Sequence, residues 1–162
     1  MAKWIRSTKR ITLGYIHSEI YMAIKTHITE YNLGPILDDY QMCIETVSNT
    51  KKKFFGLFGG KKPRTQVAIL TPTWLILGSR EKKEGSAAAL SVQLKDVTIM
   101  DHRDHPCYKD VPDTGLHVTG IFTGRIGRHG FQRVSTYMGL GEETDALKFV
   151  GLLSRAIENA RL

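Results

Sequence analysis

No run in this chain approaches the roughly 18 uninterrupted apolar residues that a membrane-spanning helix needs. Cysteine is nearly missing too: Cys43 and Cys107 are the only two. A chain of 162 residues can bury a proper core without staples, so no disulfide framework is expected, and reduced thiols in a cytoplasm fit best. The basic N-terminal residues lead into the mixed run ITLGYIHSEI, not an apolar core with a small-residue cleavage site, so they do not read as a signal peptide. GLFGGKKPR lacks the Ser or Thr that follows the lysine of a phosphate loop, and it opens no helix. No acid/base pair stands out, and His117 has no nucleophile or carboxylate beside it in sequence. No catalytic residue and no cofactor are assigned, and an enzyme is not expected.

What is present is basic charge, unevenly spread. The chain carries 23 Lys and Arg against 16 Asp and Glu. Residues 1 to 18 hold four bases and no acid, and residues 51 to 64 hold six bases and no acid. Residues 65 to 162 are balanced, twelve against eleven. The segment KKKFFGLFGGKKPR interleaves Lys51, Lys52, Lys53, Lys61, Lys62 and Arg64 with Phe54, Phe55, Leu57 and Phe58. Local patches of one sign attract anionic partners such as phospholipid headgroups or nucleic acid. The interleaved apolar residues suit a bilayer margin or a protein contact equally.

Ile16, Ile20, Ile24 and Ile28 recur every fourth residue, which predicts an amphipathic helix from about Leu13 to Tyr31, ended by Asn32, Gly34 and Pro35. Residues 1–37 therefore read as a helical extension packed on or beside a domain at 38–162. From Asp39 the period changes to that of strands. Met42 to Asn49 alternates unevenly. Two apolar runs, Thr65–Leu70 and Trp74–Leu77, flank a proline-containing turn and predict a hairpin. Leu90, Val92 and Leu94, then Val97 and Ile99, continue the alternation. Asp101 to Thr114 reads as a polar loop. Leu116, Val118, Gly120 and Phe122 form the cleanest alternating strand, and Phe131 to Met138 the next. Ala146, Phe149, Val150, Leu153, Ile157 and Ala160 lie on one face of a closing helix, with acids at its start and arginines toward its end.

The order of elements resembles the pleckstrin-homology-like family, in particular its bacterial and GRAM-type members. The resemblance spans about residues 40 to 161 and rests on the glycine- and lysine-containing connection, the hairpin TQVAILTPTWLILG, the strand LSVQLKDVTIMD and the helix at 142–160. It implies a mainly β (α+β) fold, a bent antiparallel barrel with its C-terminal helix closing one end and an added N-terminal helix. In members that bind phosphoinositides, the connection equivalent to Lys51–Arg64 turns its bases toward phosphates. The resemblance thus marks Lys51, Lys52, Lys53, Lys61, Lys62 and Arg64 for an anionic headgroup.

The reading placed first is a non-enzymatic module making a protein contact or self-associating, through the isoleucine stripe or the aromatics at 54–58. The alternative is peripheral binding to anionic membranes, and nucleic acid comes third, because Phe131 and Tyr137 read as sheet residues and not as a stacking face. In the run DHRDHPC, His102, His105 and Cys107 have the residue types of a metal site but match no motif with a known mechanism, and no metal is assigned.

Overall fold

A computed structural model describes residues 4–50, 63–81, 87–123 and 133–162. Eight antiparallel strands make one curled sheet: β1 (Trp4–Ile11), β2 (Met42–Thr50), β3 (Arg64–Leu70), β4 (Trp74–Glu81), β5 (Ala88–Gln93), β6 (Thr98–Asp101), β7 (Gly115–Thr123) and β8 (Arg133–Gly139). Strands β1 to β5 follow one another as neighbours. Strand β7 pairs with β5 and β6 on the way back and also with β8. Among the described residues two helices complete the fold, α1 (Ser18–Glu30) and α2 (Thr144–Ala160). Among the described residues no helix is long and apolar enough to cross a membrane.

The strand period of two sends alternate residues to different cores. Met42, Ile44, Ala68, Leu70 and Leu75 point to the concave side, where they join Phe122 of β7 and Phe149, Leu153 and Ile157 of α2. Cys43, Val67, Ile69 and Ile76 point to the convex side and meet Ile16, Ile20, Ile24 and Ile28. Both faces of β3 and β4 are therefore covered, which is why VAIL and LIL are continuous apolar runs instead of alternating ones. Helix α1 comes close because Gly78 lies beneath it: a Cβ there would stand 2.6 Å from Ile20 Cγ2.

The hairpin expected around Pro72 is present, with Leu70 opposite Leu75 and the Thr71 hydroxyl accepting from Trp74 N at 2.9 Å. The closing helix lies where its pattern predicts, and Ala146, Phe149, Leu153 and Ile157 are buried. Two expectations need correction. Residues 4–11, expected within a helical extension, form a strand fully paired with β2, from Trp4 opposite Thr50 to Ile11 opposite Cys43. Their alternation was hidden because the residues turned to the concave side include Arg6 and Thr8, which are polar. The stretch 101–114, expected as an irregular loop, contains two 3-10 turns at His102–Asp104 and Pro106–Lys109, the second begun by proline.

Among the described residues the two edges of the curled sheet, β1 and β8, do not pair with each other, and side chains from other elements bond to each. Along β1, the amides of Thr8 and Arg10 donate to Glu143 Oε2 at 3.1 Å and to Asp145 Oδ2 at 2.8 Å. Along β8, the Gln66 amide accepts from Gly139 N at 3.1 Å and donates to Tyr137 O at 3.4 Å. Exposed edges are templates for unwanted pairing, and these contacts occupy part of both.

Candidate binding site at the open end of the sheet

Helix α2 and the β3–β4 turn occupy one end of the curl. At the other end the register places Trp4 opposite Thr50, Ser48 opposite Arg64, Arg64 opposite Glu81, Ser79 opposite Ala88, and Ser91 opposite Thr123. All four segments outside the described residues, 1–3, 51–62, 82–86 and 124–132, join the chain at strand ends on this side. Those segments hold ten of the 23 Lys and Arg but only one of the 16 acids; the described residues then hold thirteen bases against fifteen acids. The whole basic excess of the protein thus belongs to segments attached at one end.

Of the residues expected to meet an anionic headgroup, Lys51, Lys52, Lys53, Lys61 and Lys62 lie outside the described residues, as do Phe54, Phe55, Leu57 and Phe58. Arg64 is described, exposed, and stands at the first position of β3. Among the described residues it is the one charged residue lining a cavity of about 230 Å³ that opens at this end, between β2, β3, β4, β5 and β8. By strand alternation its side chain shares the concave face with Gln66 and Ala68.

Deeper toward the seam the side chains are polar and hydrogen-bonded. Arg6 Nε and Nη2 donate to the two carboxylate oxygens of Asp113 at 2.9 and 2.6 Å, and Arg6 Nη1 donates to the Ser48 hydroxyl. Burial pushes the Asp113 carboxyl up, but the Arg6 guanidinium and the Thr114 amide hold it below the usual range. Tyr137 donates its hydroxyl to Thr114 O at 2.8 Å, and burial, then the Asp113 charge, push its ionisation up. Among the described residues no buried side-chain nitrogen or oxygen lacks a partner. These groups close the curl.

The histidines cluster beside these groups at β6, β7 and β8, where the rings of His102 and His117 each lie 5.3 Å from that of Tyr137. His102, buried, bonds His117 Nε2 through Nδ1 at 2.8 Å and Val111 O through Nε2 at 2.7 Å. A carbonyl only accepts, so Nε2 of His102 carries a proton. His105 stacks on His117 with centroids 4.1 Å apart, and its Nδ1 accepts from Cys107 N. Burial, then the neighbouring rings of His105 and His102, lower the pKa of His117. Asp101 is held by Arg103 at 2.7 Å. The ring nitrogens of His102 and Nδ1 of His105 are thus engaged with protein atoms, and among the described residues no three or more His, Cys, Asp or Glu gather as metal ligands. Sequence offered no pairing for His117; its partner is 15 residues away on another element.

Compared with known proteins, the chain matches no family model, no curated protein and no solved structure.

Proposed function

We propose that this chain is a pleckstrin-homology-like binding module that docks on anionic phospholipid surfaces with the open end of its curled sheet. The observation that carries this reading is the segregation of charge: ten bases and one acid in segments joined to that end, against a described body with slightly more acids than bases. Each Lys or Arg near an anionic membrane contributes on the order of 1 kcal/mol, so engagement of even a few of the ten would hold the protein at a surface. The seven-strand-and-helix order from β2 to α2 supports the pleckstrin-homology-like part, with β1 and α1 as additions.

Self-association through the α1 stripe is disfavoured because that stripe already has a partner: Ile20 and Ile24 are fully buried against the protein's own sheet. Co-sedimentation with phosphatidylserine and with phosphatidylcholine vesicles at rising salt is the test. Binding to the first, declining as salt screens charges over about 8 Å at physiological strength, is expected. Failure to pellet with phosphatidylserine at low salt rejects the membrane reading. A concentration-dependent oligomer in sedimentation equilibrium would then favour the protein-contact reading, and retention of a single-stranded oligonucleotide the nucleic-acid one.

A further inference from the structure

The cavity at the open end has a composition that the surface reading does not use. Its inner wall is aliphatic, built from Ile44, Leu77, Leu90, Met138 and Leu140. Ala68 and Ala88 leave room where a larger side chain would fill it; of the polar lining residues, Arg64 and Ser79 stand nearest the mouth, and Thr46, Gln66, Thr136 and Tyr137 line the rest. A cavity of about 230 Å³ is larger than the roughly 150 Å³ apolar cavity that suffices for benzene, so about nine heavy atoms fit. Aliphatic side chains at the inner wall and, among the described residues, one guanidinium at the mouth suit a ligand with an apolar tail and an anionic head.

We infer that this cavity binds a short unbranched aliphatic carboxylate, its chain against Leu77, Leu90 and Met138 and its carboxylate at Arg64. The inference does not rest on the membrane reading, because a monomeric carboxylate needs no vesicle. Arginine suits this end of the ligand, since its planar fork matches both carboxylate oxygens. Gln66 is already committed to the backbone of β8 and serves as wall, not as the anion's main partner.

The experiment is methyl NMR of the full chain titrated with octanoate below its micellar range, with octanol as the uncharged control. Saturable shifts confined to the Leu77, Leu90, Ile44 and Met138 methyls are expected for both, with octanoate the tighter by about tenfold, the effect of one charge-assisted hydrogen-bonded contact. Arg64→Gln should bring octanoate down to the octanol level and leave octanol unchanged. Ala88→Phe, at an exposed mouth position where the fold tolerates bulk, should abolish both sets of shifts at an unchanged melting temperature. Absence of shifts at these methyls at millimolar octanoate overturns the inference. So do shifts that persist in Ala88→Phe, or an Arg64→Gln effect equal for octanoate and octanol. The vesicle assay above is independent, so either reading can fail alone.

Discussion

Arg6 and Asp113, 107 positions apart in sequence, form a two-pronged ion pair that ties edge strand β1 to the entry of β7, with side chains only 8% and 7% exposed. The guanidinium also lies over Gly139 of β8, where no Cβ would fit. Removing one member leaves a buried charge alone, so Arg6→Met should cost about 3–5 kcal/mol in urea unfolding at neutral pH. Arg6→Met combined with Asp113→Leu should cost less than Arg6→Met alone. A single variant as stable as the parent would show that the pair does not hold the seam.

The same carboxylate sets an acid limit. Its folded pKa lies below the ordinary value of about 3.9, so its stabilising contribution is complete above that value and is lost as the pH falls through the folded one. Stability of the parent should therefore drop below about pH 4 more steeply than that of the double variant, as read from melting temperatures across the acid range.

Gly78 and Ile20 should behave as a coupled pair. Gly78→Ala drives a methyl against a stiff β-branched side chain and should cost about 1–3 kcal/mol, in the range of core overpacking. Ile20→Ala opens a cavity in the same place. The double variant should be more stable than the sum of the two single losses implies, and strict additivity in denaturant unfolding would contradict the contact.

His27 of α1 is buried against the sheet with Nε2 2.8 Å from the Ser91 hydroxyl of β5. Burial lowers its pKa, outweighing the opposing charge of Glu30. The unfolded chain then binds the proton more readily, so stability is complete above about pH 6.5 and falls as the pH drops toward the folded value. His117 is lowered in the same direction. His27→Gln should flatten the slope of melting temperature between about pH 5 and 7 without removing it, and an unchanged slope would assign it to His117 or elsewhere.

The two thiols should differ in reactivity. Cys43 is buried on the convex face, and burial followed by the Glu45 charge pushes its pKa up to about 12. Cys107 is exposed. Titration of the folded protein with a disulfide reagent should modify one thiol, Cys107, and release the second only in denaturant. Fast native labelling of Cys43 would mean that α1 opens from the sheet.

Local periodicity by itself determined much of this protein: the stripe of α1, the stripe of α2, the Pro72 hairpin and the alternation from Leu116 to Phe122 are each readable because neighbouring residues share one face. Uneven charge was equally legible, since counting residues needs no coordinates. What only the tertiary structure decided are the pairings between distant residues. Strand β1 escaped the reading because polar residues, Arg6 and Thr8, occupy its concave face, and they are acceptable there only because Asp113, Ser48 and Thr46 arrive from elsewhere in the chain to satisfy them. The His102–His117 bond, the Gln66 bridge to β8 and the cavity beside Arg64 have the same origin. A side chain's role in a buried polar contact depends on a partner that sequence order does not name, whereas an apolar stripe needs only any apolar surface to cover it.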